Sequence, residues 1–305
     1  MHKNIIALSA LGILCAGTVR AQEFGEFEGL DRGFSTKTAL TAGIGHRAES
    51  DIDDGGKSSL TSLRFAGGTA MTVNEKVSFS FLGSYTFNHY DWKEFVTDPW
   101  EDIHTVRLTP LLHYTIDQRW SVFGGPAIGF SAEDGADFGD SITGGGIAGF
   151  GYRAHERLSL GLAIGVFSRI EDDVAILPVP IVDWHFADDW DLHIGFQEVA
   201  ANGGLGAKIS YHLNEKWEFG GGVQFQQRRF RLSDSGPAPD GVGRDRSASV
   251  YLEARWEPTK NCALEALIGI AAGGEYRVED DSGHKLGDTD YDPSALFGLR
   301  GIFTF

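Results

Sequence analysis

Residues 158–166 read Leu158-Ser159-Leu160-Gly161-Leu162-Ala163-Ile164-Gly165-Val166, a strict alternation of large apolar and small residues. A period of two places the five large side chains on one face of a strand and Ser159, Gly161, Ala163 and Gly165 on the other, whereas a helix would scatter both sets. The same alternation returns along the chain. Leu192, Ile194 and Phe196 oppose His193 and Gln197, and Val250, Leu252, Ala254 and Trp256 oppose Ser249, Tyr251, Glu253 and Arg255. In the final stretch Ala295, Phe297, Leu299, Gly301, Phe303 and Phe305 share a face, with Arg300 and Thr304 on the other. Fourteen such segments are read, near 36–48, 57–73, 77–90, 102–116, 119–131, 141–154, 158–170, 174–186, 190–200, 204–213, 217–231, 245–257, 262–277 and 293–305.

The connectors fall into two kinds. Asn74-Glu75-Lys76, Asp117-Gln118, His155-Glu156-Arg157, Ala187-Asp188-Asp189, Asn214-Glu215-Lys216 and Thr259-Lys260-Asn261 are tight. Those at the opposite strand ends are mostly longer and acidic, such as Glu49–Gly56, Asp91–Glu101, Ala132–Asp140, Ser233–Arg244 and Glu279–Asp292; two, near Glu171–Asp173 and Ala200–Gly203, are short. Short turns at one end and long loops at the other predict an all-β, transmembrane, antiparallel up-and-down β-barrel of about 14 strands, with 12 as the fallback. An even count puts both termini on the short-turn side. Soluble sandwiches and propellers alternate too, but their strands usually run 5–6 residues, and no blade repeat is visible.

The 305 residues are 42% hydrophobic and 12% aromatic, with 41 glycines and 9 prolines. Residues 1–21 read as a signal peptide: His2 and Lys3 form a basic head, Ile5–Thr18 an apolar core, and Val19-Arg20-Ala21 a small-residue cleavage site. Leu14 before Cys15 argues against lipidation. Residues 22–35 are expected to form an N-terminal periplasmic segment or a plug, and 36–305 the outer-membrane barrel. Without the signal only Cys262 remains, so no internal disulfide is possible. A formal charge of −17 argues against nucleic acid. It suits acidic loops lying beside outer-membrane lipids and lipopolysaccharide bridged by divalent cations.

Aromatic residues collect beside the tight turns: Tyr114, Trp120, Tyr152, Trp184, Trp190, Tyr211, Trp217 and Trp256. Their amphipathic rings suit the headgroup level and predict an interfacial girdle. The ending Gly301-Ile302-Phe303-Thr304-Phe305 resembles the C-terminal signature of outer-membrane β-barrels. That resemblance implies recognition of Phe297, Phe303 and Phe305 by the barrel-assembly machinery. The stretch from Ile176 to Leu232, with Leu177-Pro178-Val179-Pro180, Asp183-Trp184, Trp190-Asp191-Leu192 and Arg228–Leu232, is similar to uncharacterised outer-membrane barrels grouped under a domain of unknown function, which implies no activity.

A charge facing the lipid midplane costs about 2–4 kcal/mol, so parity assigns Arg47, Arg64, Arg107, Arg153, Lys208, Glu218, Glu253, Arg255, Glu265 and Arg300 to the lumen. There they either select solutes in an open pore or pair across a filled interior. Inward Gly125, Gly145, Gly149, Gly161, Gly220 and Gly222 carry no filling side chains, and fourteen strands enclose more space than a packed eight. Both points favour an aqueous pore, although no long loop reads as an inward constriction. His113, Asp183, His185, His193 and His212 are inward, and no serine follows a histidine as in barrel lipid hydrolases. No catalytic residue is assigned. The acidic runs Asp51–Gly55, Glu133–Asp137 and Glu279–Asp281 lack the late glutamate of a calcium loop, so no metal and no cofactor is expected. The expected function is a porin-like passive channel for small hydrophilic solutes, not an enzyme. The alternative is a non-conducting structural or adhesive barrel that binds partners through its acidic loops, and a lipid hydrolase ranks last.

Overall fold

The computed structural model describes residues 35–305; the expected signal peptide and residues 22–34 of the expected plug lie outside the described residues. Fifteen strands follow one another: β1 (Ser35–Asp51), β2 (Lys57–Thr72), β3 (Val77–Lys93), β4 (Asp102–Thr115), β5 (Trp120–Glu133), β6 (Ile142–His155), β7 (Leu158–Arg169), β8 (Asp172–Ala187), β9 (Trp190–Val199), β10 (Asn202–Asn214), β11 (Trp217–Arg231), β12 (Val242–Thr259), β13 (Cys262–Glu279), β14 (Lys285–Tyr291) and β15 (Ser294–Thr304). Consecutive strands from β1 to β14 pair antiparallel, and β1 closes on β15 from Ala39↔Thr304 to Arg47↔Leu296. The strands β14 and β15 form one stave, since both pair with β13, through Gly274–Glu279 and Cys262–Ala271 respectively. The break falls at Asp292-Pro293, where proline has no N–H to give the ladder. The barrel is therefore closed with 14 staves, and the twelve-stranded fallback is set aside. The connector read as Glu279–Asp292 is shorter than expected, because its second half is strand β14.

Asparagine and aspartate side chains close the tight turns by accepting backbone amides of the next residues. Asn74 Oδ1 takes the N–H of Lys76 and Val77 at 2.9 and 3.0 Å, and Asn214 Oδ1 those of Lys216 and Trp217 at 2.9 and 3.1 Å. Asp117 does the same with Arg119 and Trp120, and these two amides hold its carboxyl below the usual range. Beside these turns, cross-strand neighbours Trp120 and Tyr152, Trp190 and Tyr211, and Trp217 and Trp256 set their rings 4.6, 4.9 and 6.1 Å apart. Tyr114 and Trp184 are outward and part-exposed in the same belt. Phe297, Phe303 and Phe305 are exposed on the outer surface of the closing stave. Among the described residues no helix is long and apolar enough to cross a membrane, so the crossing falls to the strands.

One hairpin leaves the wall. Strand β9 pairs with β8 only up to Ile194↔Val182, and β10 pairs with β11 only up to Leu205↔Phe225. From Gln197↔Gly204 to Val199↔Asn202 the two strands pair with each other alone. The departure starts at Gly195, whose φ of 155° is a glycine conformation. The tip, Ala200-Ala201, has φ of 48° and 64°, a left-handed pair that costs alanine about 1–2 kcal/mol per residue. It is buried against the far wall, where Gly45 of β1 and Gly298 of β15 are cross-strand partners. A Cβ on Gly45 would lie 1.9 Å from Ala200 O, and one on Gly298 3.1 Å from Ala200 Cα. These two glycines make a dimple that receives the tip.

Candidate functional site

The in-folded hairpin divides the lumen. Beneath it, on the side of β3–β8, Leu82, Leu111, Phe123, Ile147, Ala163, Val179 and Ile181 form an apolar cluster, and Phe196 and Leu205 of the hairpin pack on it. The inward glycines are here occupied by their neighbours. Phe123 fills the place of a Cβ on Gly149, Phe167 that on Gly145, and Tyr251 that on Gly222. The lower lumen is thus packed by large side chains set over small ones, which corrects the reading of those glycines as open space.

On the other side, lumen charges pair. Lys208 Nζ lies 2.9 Å from Glu253 and 3.5 Å from Glu218, and Arg255 Nη1 lies 2.9 Å from Glu265. Arg300 bridges Glu265 and Glu198, the latter at 3.5 Å, and Arg64 Nε reaches Glu198 at 3.2 Å. Four cations meet four carboxylates, all nearly without solvent contact, and Arg255 also reaches the part-exposed Glu257 at 2.8 Å, so this is a seal of paired charges and not a ring of one sign. Glu198, supplied by the hairpin, ties that seal to β2 and β15. The polar cross-links continue with Asn202 Nδ2 donating to Ser62 Oγ at 2.9 Å and Gln224 Nε2 donating to the carbonyls of Gln197 and Asn202 at 2.8 and 3.0 Å.

The outer mouth is closed by aromatic side chains. Trp100, from the connector after β3, sits edge-on to Tyr90, Trp92, Phe230 and Tyr276 with ring centres 5.3–5.8 Å away. Below them the buried Asp245 accepts hydrogen bonds from Tyr90 at 2.8 Å, Tyr291 at 3.0 Å and Arg228 at 2.6 Å. Arg47 belongs to this cap: it donates to Ser58 Oγ at 3.2 Å and lies 4.2 Å from the Tyr291 ring centre.

Beside the hairpin lies a cavity of about 920 Å³ that reaches from Ala39 and Gly68, low on β1 and β2, up to Arg246 and Gly273. Leu82, Val179, Phe196 and Leu205 line its floor, and Arg107, Ser84, Thr109 and Thr143 one wall. Because β9 and β10 have left the wall, β8 from Asp172 to Ile181 and β11 from Gln226 to Phe230 face each other without pairing across a lateral window, above which Arg231 pairs with Ala132 of β5. The turn after β7 bridges its outer end: Arg229 donates to the carbonyls of Ile170 and Glu171 at 2.7 and 3.2 Å, and Arg231 pairs with the Glu171 carboxylate. Leu177, Phe225, Gln226 and Gln227 line both cavity and window. Pro178 and Pro180, whose cross-strand partners on β7 are Ile164 and Leu162, lack N–H groups on this unpaired edge, where an exposed donor would meet hydrocarbon.

The lumen residues expected from parity therefore go to different places. Arg64, Lys208, Glu218, Glu253, Arg255, Glu265 and Arg300 meet in the seal, Arg47 joins the cap, Arg107 faces the cavity, and Arg153 stands half-buried near the periplasmic turns. Phe196, read as sharing the lipid-facing side with Leu192 and Ile194, is instead inside. The inward histidines collect at the periplasmic end, where His193 bonds Asp183 at 2.6 Å and Asp191 bonds both His185 and His212. At the outer rim His89, Glu101 and Asp102 bring their ligand atoms within 4.8 Å of one another. The loop acids pair locally, as Asp288 does with Lys285 and Asp280 with His284.

The chain is similar to an outer membrane channel from Pseudomonas putida F1, with 11% identity over 92% of this chain and 98% of that one and a TM-score of 0.50. The fold is that of an outer-membrane β-barrel. Looser likeness links this barrel to a FadL homologue from Pseudomonas aeruginosa (13% identity, 90% of each chain, TM-score 0.45) and to the P. putida toluene transporter TodX (8%, 88% and 89%, TM-score 0.45). No family model and no curated protein sequence matches the chain.

Proposed function

We propose that this outer-membrane barrel is a channel for small apolar or amphipathic molecules, not an enzyme, and that its cargo moves between the lumen cavity and the bilayer through the lateral window. One observation carries the reading: the hairpin of β9 and β10 lies across the lumen and, by leaving the wall, opens the cavity sideways. Through-passage of hydrophilic solutes fits this lumen poorly, because the seal and the aromatic cap stand in series on that route. A cavity floored by Leu82, Val179, Phe196 and Leu205 attracts apolar surface, at roughly 25 cal/mol per Å² removed from water.

Cells producing the protein are expected to take up the hydrophobic dye N-phenylnaphthylamine faster than cells without it, with no gain in hydrolysis of the hydrophilic reporter nitrocefin by a periplasmic lactamase. Leu177→Trp and Gln227→Trp, which fill the window, are expected to remove most of the dye uptake. Faster nitrocefin hydrolysis without faster dye uptake would restore the hydrophilic pore.

A further inference from the structure

We infer that the cavity holds an anionic amphiphile, a small organic carboxylate with an apolar body, and that Arg107 binds its head. The inference rests on the reading of the cavity as a cargo site and adds the chemistry of that cargo. Arg107 projects from β4 into the cavity, and its guanidinium makes no hydrogen bond and no ion pair among the described residues. The charged groups that act on it are Arg64 and Arg228, both cations. Each of those has a carboxylate, Glu198 for Arg64 and Asp245 for Arg228, so neither carboxylate is left for Arg107. The Arg107 side chain is exposed to the cavity, so water serves this cation, set among other cations, until an anion takes its place.

The surroundings of Arg107 suit a carboxylate head. Its cross-strand neighbours are Ser84 on β3 and Gly129 on β5, and Thr143 of β6 stands opposite Gly129. Ser84, Thr109 and Thr143 therefore place hydroxyl groups around a fork of N–H donors, and the missing side chain of Gly129 is what lets the Thr143 hydroxyl stand there. The rest of the cavity is apolar toward Phe196, Leu205 and the window, where the body of the molecule would lie. A guanidinium matches a carboxylate with two parallel hydrogen bonds, which a neutral alcohol cannot reproduce.

The test compares phenylbutyrate with the neutral phenylbutanol by calorimetric titration into the full mature protein in lipid nanodiscs. The wild type is expected to bind the acid more tightly than the alcohol. Arg107→Gln is expected to weaken the acid on the order of 10- to 100-fold and leave the alcohol unchanged, while Arg107→Lys, which keeps the charge but not the paired donors, retains only part of the preference. Equal binding of the acid by wild type and Arg107→Gln overturns the head site and leaves the cavity reading intact. Failure of the wild type to bind either compound overturns both.

Discussion

A Gly45→Val barrel is expected to lose at least about 3 kcal/mol of stability and to expel the β9–β10 hairpin from its lumen. Even the first carbon of the new side chain would fall 1.9 Å from Ala200 O, which is backbone and cannot rotate away. Ala200 is flanked by the pair Val199↔Asn202, so the whole tip must retreat, and it carries Glu198 with it. The cost then combines overpacking, typically about 1–3 kcal/mol, with the loss of a buried carboxylate between Arg64 and Arg300. Urea unfolding in lipid vesicles reads the stability. Labelling of an Asn202→Cys variant by a membrane-impermeant maleimide, in a Cys262→Ser background, reads the hairpin, since Asn202 is buried in the wild type. Gly144→Val is the control: nothing lies within 4 Å of the Cβ it adds, and its unfolding midpoint should not move. An unmoved midpoint in Gly45→Val, with the thiol introduced by Asn202→Cys still unlabelled, would mean that the dimple does not hold the tip.

The same hairpin marks the limit of what the alternation could reveal. A period of two specifies which face a residue takes only while its strand stays in the wall, and it located all fourteen staves because nearly all of the pairings are ordinary ladders. On β9 the rule fails after Ile194. Continued parity would put Glu198 into lipid with Leu192 and Ile194, at a cost of about 2–4 kcal/mol, and that conflict is the sequence signal that the strand turns inward. The other signals surround it. Gln227, Arg229 and Arg231 share the outward parity of Phe219, Val223 and Phe225, and the two prolines of Leu177-Pro178-Val179-Pro180 mark an unpaired edge. Each is weak alone, since outward arginines also occur above the membrane surface. The closure of the lumen was less legible still. Whether Gly149 faces space or Phe123 depends on contacts between strands, which no single strand's pattern encodes. Glu198, Asp245 and Trp100 could not be assigned to seal or cap, because their partners come from across the barrel.

Removing the Glu198 carboxylate tests the seal without disturbing the dimple, and Glu198→Ala is expected to cost about 3–5 kcal/mol. The pair Arg64–Glu198 has almost no solvent contact, so solvent screening gives little relief to the cation left behind. Arg300 keeps Glu265, whereas Arg64 keeps only the hydroxyl of Thr86, its hydrogen-bond acceptor at 2.8 Å. The asymmetry makes a second measurement informative. Replacing Arg64 as well, as Glu198→Ala with Arg64→Leu, removes the stranded charge and should recover at least half of the lost stability. If the deficit stays undiminished, the carboxylate holds the hairpin through contacts other than Arg64. Because Arg64 also lines the cavity, the single variant gives the lumen an additional uncompensated cation near Arg107. Phenylbutyrate should then bind Glu198→Ala more tightly than the wild type, and the gain should vanish in the double variant. Weaker binding in the single variant would show that the hairpin's position, and not the local charge, sets the affinity of the cavity.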